Sequence, residues 1–186
     1  MTFMGSDPVG RAVPVEVTTS GYRITGTLRT RFERVSDVLN NLDRSHAVIE
    51  LATVRELYDP GRGQRVPSAL VPIKDILFFA ADLPTERTGD AIVVPKRPVG
   101  AQMAMPPFRL AGTIYVPESV ESVETAFTMS PDTFIPMVDV TVTCWIRAEL
   151  NSSHPVMAVA RAGVQVLSFD SGGVDPLPRP SSGGWA

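Results

Sequence analysis

One cysteine and two histidines are all that 186 residues hold of the side chains most used for redox, metal and proton-transfer chemistry. A single thiol permits no internal disulfide, and one Cys with two His falls short of a structural zinc site. His46 and His154 share no motif, so no proton shuttle stands out. The patterns H-E-x-x-H, G-x-S-x-G and G-x-G-x-x-G and the phosphate-binding Walker loop are all missing. Long apolar runs are missing too. The longest is Ile76–Ala81, far short of the roughly 20 residues of a membrane span. Residues 1–14 lack a basic start followed by an apolar stretch, so no signal peptide is expected. These absences lead to four expectations: no enzyme, no cofactor or metal, no membrane, and a cytoplasmic protein.

Net charge is −3 and the isoelectric point about 5.4, which gives no global attraction for nucleic acid or anionic lipid. The imbalance is local: residues 108–186 hold four basic and eight acidic residues. Carboxylates are therefore plentiful, yet Asp37 with Asp43 and Glu50 with Glu56 have no spacing suited to paired acid–base work. The run Glu118, Glu121, Glu124 matches no cation-binding loop.

What the chain does have is 17 prolines, 14 glycines and an apolar fraction of 44%. Proline at this density excludes long helices, since each interior proline costs about 3 kcal/mol. Short alternating segments point to strands instead. Val15, Val17 and Thr19 alternate with Glu16 and Thr18, and Val138, Val140, Val142, Cys144 and Ile146 alternate with polar neighbours. Cys144 in that pattern reads as a small buried hydrophobe.

The chain also repeats itself. Arg23-Ile24-Thr25-Gly26-Thr27-Leu28 returns 86 residues later as Arg109-Leu110-Ala111-Gly112-Thr113-Ile114. At the same offset Ile49 falls on Ile135, Leu51 on Met137 and Val54 on Val140. At an offset of 90, Ala69 falls on Val159, Ile76 on Val166 and Phe79 on Phe169, which places four extra residues near the turn 151–155. Gly26 and Gly112 sit mid-strand, where glycine marks a sharp bend or a close backbone approach.

The expected fold is all-β, with two tandem small, strongly bent β-barrels of Sm-like or SH3-like kind. A flexible N-terminus covers residues 1–12, the first barrel 13–81, a proline-rich linker 82–99, the second barrel 100–170 and a disordered tail 171–186. The one helical candidate is residues 36–41, capped by Ser36, with a differing counterpart over 119–126. Ile92-Val93-Val94 is a candidate edge strand, and Trp185 a candidate anchor in the tail.

The candidate ligand-binding residues are Arg23, Arg29, Arg31, Arg34, Asp37 and Asn40. Residues 23, 29 and 31 share strand parity, so they emerge on one face if the strand continues that far. Arginines so placed hold phosphate or carboxylate bidentately. Glu33, Asp37 and Asp43 interleave, and a solvated face accounts for the same pattern.

The order of residues 16–28, with their central glycine, followed by Asp37-Val38-Leu39-Asn40, resembles the first half of an Sm-like small barrel. Leu70-Val71-Pro72-Ile73-Lys74-Asp75-Ile76-Leu77-Phe78-Phe79 is similar to the closing strand pair of that fold. More specifically, Ser36-Asp37-Val38-Leu39-Asn40, the apolar strand Val48–Val54 and the closing Ile76–Phe79 resemble a bacterial family with this small-barrel pattern. Sm-like RNA sites pair the Asn with an Arg-Gly, and here Pro72-Ile73 occupies that place. Val123 and Ala126 stand opposite Asp37 and Asn40 at the offset of 86. What the resemblance implies is assembly, since such barrels associate through exposed edge strands. The leading expectation is a non-enzymatic interaction or scaffold module that forms a homo-oligomer or binds a protein partner. The alternative is an RNA- or nucleotide-binding protein using the arginine face of the first barrel.

Overall fold

Apolar residues at every second position, broken by proline and glycine, give strands covered on one face. The computed structural model describes residues 10–41, 45–59, 61–83 and 94–169, and over these the fold is all-β. Ten strands form in chain order: β1 (Arg11–Thr19), β2 (Tyr22–Thr30), β3 (His46–Glu56), β4 (Gly63–Pro72), β5 (Ile76–Ala81), β6 (Lys96–Met105), β7 (Phe108–Pro117), β8 (Phe134–Cys144), β9 (Ser152–Ala160) and β10 (Val166–Phe169). Two short helices, α1 (Val35–Asn40) and α2 (Val123–Met129), precede β3 and β8. Among the described residues no helix is long and apolar enough to cross a membrane.

All ten strands join one antiparallel sheet in the order β10-β6-β7-β8-β9-β5-β1-β2-β3-β4, and the sheet does not close on itself. Strands β1 to β5 and β6 to β10 have the same internal order, and β5 pairs with β9 where the halves meet. Both halves thus belong to a single open sheet. β1 and β6 begin at Arg11 and Lys96, ahead of the expected domain starts. The candidate strand residues Ile92 and Val93 and the tail with Trp185 lie outside the described residues, as does most of the expected linker.

Pairing fixes which residues correspond between the halves. Val15 faces Gly26 and Ala101 faces Gly112, an offset of 86. From the helices onward the offset is 88. Ala47 faces Val71 as Ile135 faces Val159, and Thr18 faces Phe78 as Ala104 faces Val166. The sequence matches at 86 for β3 and 90 for β4 and β5 are each two residues out. A slip of two leaves every side chain on its own face, so the hydrophobic pattern fits both registers equally. The length difference falls between β7 and α2, not in the turn 151–155.

The glycines mark a bulge. The register shifts between Thr25 and Thr27 and between Ala111 and Thr113. Opposite them Leu51 and Asp139 take φ of 50° and 52°, the left-handed region that ordinary side chains avoid. A Cβ on Gly26 would lie 2.6 Å from the Glu50 carbonyl oxygen, and one on Gly112 2.8 Å from that of Val138. Both readings of the glycines meet here: the backbone approaches closely because the strand bends.

The cores interlock across the junction. Phe134, Ala158 and Ala160 from the second half complete the core of Val17, Ile24, Ile49 and Phe79 in the first. Leu57, Phe78 and Ala80 from the first half enter the core of Met103, Leu110, Val142 and Cys144 in the second. Phe78 meets Phe108 edge to face, with centroids 5.1 Å apart. Cys144 is buried, as its alternation indicates.

The helix differs in detail from expectation. α1 starts at Val35, with Arg34 as its cap residue and no side-chain cap bond, and Ser36 is buried inside its first turn. The hydroxyl cap occurs in α2, where Ser122 accepts from the Thr125 amide at 3.0 Å.

Candidate functional site

Two features stand out as sites: the ends of the sheet and a shallow groove at the junction. A ten-stranded open sheet ends in two strands with one side unpaired, and among the described residues these are β4 and β10. Such edges offer rows of free N–H and C=O groups to another chain. Both carry exposed apolar side chains, Leu70 at 67% and Val166 at 63%.

The groove, about 380 Å³, is lined by Arg23, Thr25, Thr53, Arg55, Glu56, Arg147, Glu149 and Leu150. Register brings Arg23 beside Arg55, and the junction brings Arg147 over from the second half. Carboxylates accompany them. Arg23 Nη2 lies 2.7 Å from Glu16 Oε2, and Arg147 is bonded to Glu149 while donating to the Leu57 carbonyl at 3.3 Å. The Glu149 carboxyl sits below its usual 4.5, through a backbone amide first and Arg147 second.

His154, on β9, joins this cluster. Its Nε2 is 2.9 Å from Ser152 Oγ and 3.8 Å from Glu16 Oε1. Burial pushes the imidazole below its ordinary 6.5, Glu16 opposes that shift, and Arg23 adds to it. His46 is exposed, and its Nδ1 lies 2.8 Å from Ser45 Oγ.

The residues singled out in the sequence do not gather at one place. Arg29 pairs with Glu50 at 3.2 Å on an exposed strand face. The Arg31 guanidinium lies over the neighbouring Phe32 ring, 5.3 Å from its centroid. Arg34 stands at the head of α1, and the Asp37 carbonyl accepts from Asn41 near its end. Of the six, only Arg23 lines the groove.

Asn40 does something else. Its Nδ2 donates to the Phe134 carbonyl at 2.9 Å, and its Oδ1 accepts from the Phe134 amide at 2.9 Å. One side chain thus supplies the donor and acceptor that a neighbouring strand would give, and it ties α1 to β8 of the other half. Arg55, Arg147 and His154 were not legible as neighbours of Arg23, because only strand register and the β5·β9 junction bring them together.

Among the described residues no group of three His, Cys, Asp or Glu side chains converges on a metal-sized space. No family model, curated protein or solved structure matches this chain.

Proposed function

We propose that this protein is a non-enzymatic interaction or scaffold module of the cytoplasm that associates with itself through the free edges of its sheet. On this reading each half is a small, strongly bent barrel of the Sm-like kind, and the pair arose by tandem duplication. The observation that carries it is the state of the sheet ends, where Leu70 and Val166 project from strands that, among the described residues, are paired on one side only. Unpaired edges with apolar side chains are normally covered, blunted or paired with another chain. Strand addition supplies backbone hydrogen bonds for affinity and side-chain contacts for specificity.

The matched element order of the halves and their shared bulge support the duplication. The arginines give nucleic acid little to bind, since Arg23 and Arg29 are paired with Glu16 and Glu50. Sedimentation velocity over a wide concentration range tests the proposal. The expected result is a species heavier than one chain that dissociates on dilution. A single monomeric species throughout removes it.

A further inference from the structure

The β5·β9 junction shows how one half of this chain grips the other, and both sides of that grip recur at the free ends. We infer that a second copy of the chain docks head to tail, with β10 of one copy pairing with β4 of the next in the register of β5·β9. This rests on the self-association proposed above and adds its polarity, its register and the surfaces involved.

The register follows from the correspondences. At the junction Phe78 faces Val159, Phe79 faces Ala158 and Ala80 faces Met157. Thr18, Val17 and Glu16 face Phe78, Phe79 and Ala80, just as Ala104, Met103 and Gln102 face Val166, Leu167 and Ser168. Val71, Leu70 and Ala69 likewise hold in β4 the places of Val159, Ala158 and Met157 in β9. The docked pairs are therefore Val166 with Val71, Leu167 with Leu70, and Ser168 with Ala69. Burial agrees with this. Phe78 and Ala158 are buried inside the junction, while their counterparts Val166 and Leu70 are exposed.

Proline is no obstacle to this pairing. Pro67 would ordinarily blunt an edge strand, but Pro155 occupies the same place in β9, and β9 pairs with β5 two residues further on.

Two further contacts of the internal grip have counterparts that the described residues cover only in part. α1 packs on β8 and β9 of the other half and buries Val35, Val38 and Leu39. In α2 the same places hold Val123, Ala126 and Phe127, and none of its residues is buried. The Arg161 guanidinium bonds carbonyls at the C-terminal end of α2, among them that of Phe127 at 3.2 Å, so the helix is held in place with Val123, Ala126 and Phe127 only partly buried against the core of its own half. The second contact follows β3. The Leu57 amide donates to the Gly21 carbonyl, and the Trp145 amide donates to that of Pro107 in the same way. Leu57 is fully buried in the core of the second half, whereas Trp145 is 54% exposed.

Strand, helix and post-strand residue thus recur together on the second half, each less covered among the described residues than its counterpart in the first half, and β4 of the first half is the edge that such a grip would hold. A contact between unlike faces does not stop at two copies by symmetry. It continues into a ring where the rotation closes and into a filament where it does not.

Two variants with substitutions at exposed positions test the polarity. Leu70→Asp blocks the β4 edge, and Val166→Asp blocks β10. Each alone is expected to sediment as a monomer with unchanged far-UV circular dichroism. Mixed, they retain one intact pair of faces and are expected to give a one-to-one dimer that grows no further. An oligomer that survives either substitution alone overturns the head-to-tail geometry while leaving self-association standing. So does a mixture that stays monomeric. A monomeric wild type removes self-association itself. A folding-independent readout comes from Trp145 in a Trp185→Phe background. Its emission is expected to shift to the blue as concentration rises, and an unchanged spectrum across an assembling range overturns the proposed face.

Discussion

Replacing Asn40 by Ala removes both bonds that tie α1 to β8. The Phe134 amide and carbonyl, each 2.9 Å from the Asn40 side chain, lose their partners next to a side chain with 0% exposure. Leaving a buried polar group unsatisfied costs about 1–3 kcal/mol. Two such groups set a loss of about 2–6 kcal/mol, and water reaching a partly buried site brings the expectation to about 2–4 kcal/mol. Alanine regains about 0.5 kcal/mol as the better helix former, which does not change the sign. Urea denaturation followed by circular dichroism reads the effect as a lower midpoint at unchanged slope. Thr128→Ala is the matched control. Thr128 holds the same place in α2, and among the described residues its hydroxyl bonds to the carbonyls of Glu124 and Thr125 in its own helix. Its loss is expected to stay within about 0.5 kcal/mol, as for surface substitutions generally. Equal midpoints for the two variants would refute the clamp.

Further expectations concern the bulges and the junction histidine. Gly26→Ala and Gly112→Ala place a methyl group 2.6 Å and 2.8 Å from carbonyl oxygens and should each cost about 1–3 kcal/mol, read as a lower melting temperature. Gly21→Ala, whose Cβ meets nothing within 4 Å, serves as the comparison and should leave the melting temperature nearly unchanged. His154 has a folded pKa below its ordinary 6.5, so the unfolded chain takes up its proton first. Its neutral form is accommodated at full stability above that value, and stability is lost as pH falls through the lower folded pKa. Denaturation midpoints measured across this window should show the loss, and His154→Gln, which keeps a polar partner for Ser152, should reduce the slope. An unaltered slope in the variant would assign the pH dependence to other groups.

The class of the fold was legible because period-two alternation in β1 and β8 translates directly into buried and exposed faces. The bends were legible at Gly26 and Gly112, since glycine inside a strand has few other uses. The exact correspondence between the halves was not. A two-residue slip is invisible to a pattern of period two, and only the backbone pairing and the matched φ of Leu51 and Asp139 fix it. The surroundings of the candidate site residues were hidden for a related reason. The Asn40 side chain meets the Phe134 backbone, which is 94 positions away in the chain. The groove arginines were scattered over three segments that only the assembled sheet brings together. The exposure of Trp145 became meaningful only once Leu57 was identified as its buried counterpart.

The most direct measurement is amide hydrogen exchange of the full-length chain at low and high concentration. Peptides covering residues 69–71 and 166–169 are expected to gain protection together as concentration rises, with residues 157–159 at the internal junction protected throughout. Rapid exchange of both edges at every concentration, or protection of one edge without the other, would contradict head-to-tail pairing of the free strands.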